Sequence, residues 1–301
     1  VLGQIWYNTT SQTLKGVEFS TVGSWATGGN MIAAIKELGG LGTQTAGLSV
    51  GGNEGGSSNQ CEEYNGSSWT AGGNMSVPRF DVAAAGLQTA GLAFGGFAPS
   101  QSPTSSVSTE EYNGTAWTGG GNLGTGRYGG AGAGTQTAGL AFGGFLPPNT
   151  TATEEYNGSS WTAGGALSAA TKYLAGCGTQ TAGLAFGGET PSAADANATF
   201  EYDGSSWTNG GNLNTARQRL AGSGIQTAAL AFGGNVVPLG ATEEYNGTAW
   251  TTTTTMSFGR RALAGCGATS ALSLAFGGTP PDTAATEEFS AGPVTVTISG
   301  S

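Results

Sequence analysis

The segment GTQTAGLAFGG stands at residues 134–144 and again, letter for letter, at 178–188, with close relatives at 42–52, 86–96, 224–234 and 267–278. This recurrence limits the fold more than any other feature, because self-similarity at a period of roughly 20–50 residues belongs to solenoids and propellers. Tryptophans at 25, 69, 117, 161, 207 and 250 set the period at 43 to 48 residues. From each of them to the next glycine pair, at 51, 95, 143, 187, 233 and 277, the distance is 26 residues in five copies and 27 in the sixth. A tyrosine precedes the tryptophan by five residues in every copy from Tyr64–Trp69 to Tyr245–Trp250. Variation is confined between the glycine pair and the tyrosine, where 97–109 (FAPSQSPTSSVST), 145–153 (FLPPNTTAT) and 189–199 (ETPSAADANAT) differ in length and kind.

Each copy resolves into four short strands. A GLAGAG-type segment and TAGLAFGG make the first two, with Leu140 and Phe142 on one face and small residues on the other. ATEEYNG makes the third and SSWTAGG or TAWTGG the fourth. The Asn–Gly pairs at 65–66, 113–114, 157–158 and 246–247, with Asp–Gly at 203–204, supply hairpin turns, since both residues tolerate positive φ. Four antiparallel strands per period, six times over, predict an all-β, six-bladed β-propeller.

The order aliphatic–Phe–Gly–Gly, variable loop, Glu–Tyr–Asn–Gly, Trp, then Arg resembles the kelch repeat, and the match covers residues 16–289. The resemblance implies a kelch-type propeller over 16–289, an N-terminal tether or assembly segment at 1–15 and a C-terminal tail at 290–301. The Glu–aromatic third strand occurs a seventh time at Glu288–Phe289, with no tryptophan after it. Strand 22–28 is therefore expected to close the ring as the outer strand of the blade at 262–289. The competing assignment lets 16–28 supply both outer strands and frees 285–301.

Function classes narrow by composition. The net charge of −10 opposes nucleic acid, which needs a basic footprint. No 18-residue apolar run offers a membrane span. Histidine is absent, which removes the commonest general base and transition-metal ligand. No GxxxxGK[ST] loop occurs, and the glycine doublets end strands rather than opening helices. Neither a catalytic residue, a metal nor a cofactor is expected. Cys177 and Cys266 share a slot that Ala133 and Ser223 fill in other copies, as small core residues, and Cys61 stands alone; no disulfide or zinc spacing is present. The NGS and NGT strings are also glycosylation sequons, but the turn already requires their Asn–Gly.

A glutamate precedes the aromatic residue of each third strand, at 18, 63, 111, 155, 201, 244 and 288, and a basic residue follows each tryptophan by ten or eleven positions. Adjacent strand residues point to opposite faces, so Glu62 and Glu63 cannot converge on one ion. The expectation is one structural ion pair per blade, drawn from Glu63, Glu111, Glu155, Glu201 and Glu244 with Arg79, Arg127, Lys172, Arg217 and Arg260.

The turns joining strands one–two and three–four lie on one face and are nearly uniform. The loops joining two–three and blade to blade share the other face, where the copies disagree, as binding surfaces on rigid scaffolds do. Phe97, Tyr128, Phe145, Pro147, Pro148, Arg219, Val236 and Val237 are the candidate ligand-binding residues there. Near-identity between copies, as in EEYNGSSWTAGG at 62–73 and 154–165, resembles kelch-like proteins of marine bacteriophages, and GQIWYNTTSQTLK resembles short segments of phage fibre and virion-surface proteins. These resemblances imply a non-enzymatic tail-fibre or virion-decoration protein, extracellular on the particle. Its expected partners are host cell-surface polysaccharide or another virion protein, with the end segments as homo-oligomerisation elements. A galactose-oxidase-type enzyme shares kelch blades but needs copper-binding histidines. An intracellular kelch adaptor usually carries a further domain and a more charged surface.

Overall fold

The computed structural model describes residues 2–8, 13–18, 20–101, 104–237 and 239–294. Six four-stranded antiparallel sheets form a ring, a six-bladed β-propeller. Blade I runs through Gly39–Thr43, Ala46–Asn53, Ser57–Tyr64 and Trp69–Ala71. Blades II to V repeat that order, beginning at Ala83, Ala131, Ala175 and Ala221. Blade VI takes three strands from the C-terminal part of the chain, Ala264–Thr269, Leu272–Phe276 and Thr286–Val294, and its outer strand, Ser20–Thr27, from the N-terminal part. Glu288 pairs with Ala26 and Phe289 with Trp25, which is the closure expected from the unpaired seventh Glu–aromatic strand. Before that strand, Leu2–Asn8 and Thr13–Glu18 pair as a separate two-stranded sheet.

The repeated phrase is explained at the blade boundaries. First strands crowd the axis, so they are built from glycine and alanine; a Cβ on Gly132 would lie 2.7 Å from the Phe94 ring of the preceding blade. In the second strand, Leu140 and Phe142 are fully buried. Phe142 packs on Trp207 of the next blade's outer strand, with ring centroids 5.0 Å apart. The same pairing joins Phe94 to Trp161, Phe186 to Trp250, Phe232 to Trp25 and Phe276 to Trp69. The glutamine of GTQTAG is a clamp. Gln180 Nε2 donates to Gly139 O (2.9 Å) and Tyr156 O (2.7 Å), both on the preceding blade. Gln44, Gln88, Gln136 and Gln226 do likewise. The glycine pair then turns the chain with left-handed backbone, φ being 63° at Gly143 and 101° at Gly144.

Tryptophan and tyrosine complete the seam. Trp207 Nε1 donates to Thr153 of the preceding blade at 2.9 Å, and Trp25, Trp69, Trp161 and Trp250 make the equivalent bond. Blade I has Cys61 in the threonine place, and the Trp117 Nε1 that faces it has no hydrogen-bond partner. Burial pushes the Cys61, Cys177 and Cys266 thiols up to about 12, so all three act as buried filler.

The glutamates divide their work differently from the expected ion pairs. Glu63, Glu111, Glu155, Glu201 and Glu288 do not meet arginine; each accepts a hydrogen bond of 2.5–2.6 Å from the tyrosine hydroxyl of the next blade. Burial first, and then the acceptor carboxylate, pushes those tyrosines up to about 12, so the hydroxyls stay donors. Glu244 has Phe289 where the others find tyrosine, and its Oε1 is buried without a partner.

Arginine pairs instead with the preceding glutamate, on the other face of the strand. The pairs are Arg79–Glu110 (3.0 Å), Arg127–Glu154, Arg217–Glu243 (3.1 Å) and Arg260–Glu287 (2.6 Å), all buried and each within one blade. Arg127 Nη1 also donates to Gly143 O and Ala152 O, pinning both stems of the variable loop between them. Lys172 lies one residue beyond the arginine position, where blade IV has Thr171, and it pairs with Glu189 at 3.1 Å. Phe200 fills the glutamate place of that blade, so acid and base are lost together. Blade I has Ile35 in the arginine position, and its buried Glu62 accepts from the Ile32 (2.7 Å) and Ala33 (3.0 Å) backbone N–H groups instead.

Blade IV thus supplies a natural control. Glu154→Phe alone, which strands Arg127, should destabilise the protein by about 3–5 kcal/mol in urea titration. Adding Arg127→Thr, which copies blade IV, should recover most of that loss; equal destabilisation in both variants would show that the buried charge is not its source.

Candidate functional site

On the face where the copies disagree, two concentric rings of residues surround the axis. The inner ring holds the residue twelve positions after each tryptophan: Glu37, Asp81, Gly129, Tyr173, Arg219 and Ala262. All six have left-handed backbone, with φ between 50° and 61°. Each backbone N–H donates to the carbonyl of its predecessor around the ring, at 2.6–2.9 Å, and Glu37 closes the circle on Ala262. Left-handed backbone is uncommon outside glycine, and a cluster of it marks a place where surrounding structure imposes geometry on side chains. Here it gathers Glu37, Asp81, Tyr173 and Arg219 around a cavity of about 90 Å³ at the channel mouth. Arg219 stacks 3.9 Å above the Tyr173 ring, places Nη1 2.8 Å from Glu37 Oε1 and reaches within 3.7 Å of Asp81 Oδ1.

The outer ring pairs the residue before each inner-ring position with the residue after the next glycine pair. The pairs are Lys36/Asn53, Phe80/Phe97, Tyr128/Phe145, Lys172/Glu189, Gln218/Asn235 and Arg261/Thr279, joined through backbone hydrogen bonds. The backbone repeats and the side chains do not. On one side they form an aromatic arc: Phe80–Phe97 (5.0 Å), Phe97–Tyr128 (5.3 Å) and Tyr128–Phe145 (5.3 Å). Lys172 Nζ continues it, 4.8 Å above Phe145 and 5.1 Å from Tyr173, which leads to Arg219. On the other side lies a polar groove of about 350 Å³, lined by Lys36, Glu37, Gln218, Arg219, Asn235 and Arg261. Its amides are held in place: Gln218 Nε2 and Asn235 Nδ2 both donate to Asp195 Oδ1, at 3.0 and 3.1 Å.

Of the residues named from sequence, Phe97, Tyr128 and Phe145 fall in the arc and Arg219 in the inner ring. Pro147 and Pro148 are exposed beside the arc on the blade III loop, while Val236, half-buried, and Val237, 92% exposed, sit on the blade V loop; none of these four lines the mouth. Sequence reasoning passed over Glu37, Asp81, Tyr173 and Phe80, and read Lys172 as structural. The available signal was their fixed distance from tryptophan, at positions where the copies differ.

Compared with known proteins, the chain matches no family model and no curated sequence. Among the described residues, no helix is long and apolar enough to cross a membrane.

Burial pushes the Asp81 carboxyl up to about 7, with Arg219 pulling it back only in part and Glu37 adding to the rise. A carboxyl raised on folding contributes stability below its ordinary range near about 4, and that contribution is lost as pH climbs through the folded value. The thermal midpoint of the native chain should therefore fall relative to that of Asp81→Asn as pH rises from about 4 to about 8. A difference that stays flat across this window would return Asp81 to an ordinary carboxylate.

Proposed function

We propose that this chain is a non-enzymatic kelch-type propeller of a phage virion, in a tail fibre or surface decoration, that binds host-surface saccharide across the two rings. The observation that carries the binding reading is the aromatic arc. Phe97, Tyr128 and Phe145 are half-buried, held at centroid spacings of 5.3 Å, and continue into Lys172, Tyr173 and Arg219. Aromatic faces receive the C–H face of a pyranose without losing hydrogen bonds of their own. Beside them, planar amide and guanidinium groups already oriented by Asp195 and Glu37 match ring hydroxyls at little ordering cost.

The virion placement rests on the resemblance of the near-identical copies, and of residues 3–15, to phage proteins. Copies on a particle would add weak contacts into useful avidity. A non-catalytic role agrees with a chain that holds no histidine. The end segments are the elements proposed to join the propeller to other virion proteins or to further copies of itself.

Binding is tested with fluorescently labelled protein on a panel of marine bacterial isolates, with polysaccharide released from the same cells as competitor. Tyr128→Ala and Phe145→Ala should each weaken binding about tenfold, the scale expected when one aromatic ring is removed from a recognition site, while the thermal midpoints fall only modestly and the propeller stays folded. Retention of full affinity in both variants would remove the arc from the binding surface. Peptides of this chain should also be found in density-purified virions, and their absence would sink the virion assignment.

A further inference from the structure

Among residues 20–294 the cations sort by partner. Arg79, Arg127, Arg217 and Arg260 are buried against glutamates. Lys36, Lys172 and Arg219 are partly exposed, and each keeps a carboxylate oxygen within 3.1 Å: Asp282, Glu189 and Glu37. Arg261 differs. It is exposed, and among the described residues no carboxylate pairs with it. Its backbone is fixed on both sides by Thr279, at 2.8 and 2.9 Å, which sets it at the rim of the polar groove. With Lys36 and Arg219 it puts three cations on that groove, where the carboxylates are already engaged: Glu37 with Arg219, Asp282 with Lys36, and Asp195 with the amides of Gln218 and Asn235.

An exposed arginine left without a carboxylate among the described residues stands out because acidic residues outnumber basic ones, 19 to 9, in the whole chain. A neutral sugar offers Arg261 no counter-charge. A carboxylate, sulfate or phosphate substituent does, and the planar guanidinium fork matches each of them in two-point contact. Arg219 connects the two regions, since it lines the groove and stacks on Tyr173 at the end of the arc.

We propose that the groove between blades V, VI and I receives the anionic substituent of an acidic saccharide, with Arg261 as its counter-ion, while the aromatic arc takes an uncharged ring face of the same chain. The inference rests on the saccharide reading above and adds the charge of the ligand. The test is an array printed with neutral oligosaccharides beside their uronate-, sialate-, sulfate- and phosphate-bearing counterparts, probed with the native chain, Arg261→Gln and Arg261→Lys. The native chain should favour acidic members, and raising salt from about 50 to about 500 mM should weaken binding. Arg261→Gln should lose about tenfold on acidic members and nothing on neutral ones, with Arg261→Lys in between. The member best bound identifies the anion. Preference for neutral members, or indifference to Arg261→Gln, overturns the charge assignment and leaves saccharide binding intact. A folded native chain that binds no member, judged by its thermal midpoint, overturns both.

Discussion

The ring is held together by the packing of a second-strand phenylalanine on the tryptophan of the next blade's outer strand. Each blade is too thin to bury its own faces, so its apolar residues are satisfied only by a neighbour. An aromatic pair in this geometry contributes about 0.5–1.5 kcal/mol beyond the area it buries. The hydrogen bonds from tryptophan to threonine, tyrosine to glutamate and glutamine to backbone all lie along the same boundary. They give direction to an interface that packing alone would leave free to slide. Blade I carries Val50 in the phenylalanine position and Cys61 in the threonine position, and Trp117 is accordingly among the less buried tryptophans.

The boundary between blades V and VI is the exception that displays the rule. Ser270 stands where a glutamine clamp is expected and Phe289 where a tyrosine is, so two of the three directional bonds are missing. A hydrogen bond of 2.5 Å between the Ser223 and Ser273 hydroxyls and the Trp25–Thr242 bond of 3.2 Å span the gap. Blade VI is also the one assembled from both ends of the chain. Its outer strand comes from the opposite end of the chain, and at its boundary with blade V only one of the three repeated side-chain links remains.

Much of this was legible in the residues, for a physical reason. Strand length and turn type fix how far a tryptophan must stand from the next glycine pair, so spacing alone reveals the blade. A Glu–aromatic strand without its tryptophan likewise revealed where closure occurs. The partner of each glutamate was not legible. Glu154 and Glu155 are adjacent and chemically identical, and only the face each presents decides between arginine and tyrosine. The inner ring was hidden for a different reason. Glu37, Asp81, Gly129, Tyr173, Arg219 and Ala262 share no chemistry; they share a backbone conformation, which only Gly129 hints at by its identity.

That shared conformation has a consequence for how such a surface changes over time. Each inner-ring position is joined to its two neighbours by main-chain hydrogen bonds, so a side chain can be exchanged there without undoing those bonds. Arginine, acid, tyrosine, alanine and glycine already occupy equivalent seats. Single codon changes at these seats therefore re-dress the channel mouth, while the inherited framework beneath them stays silent.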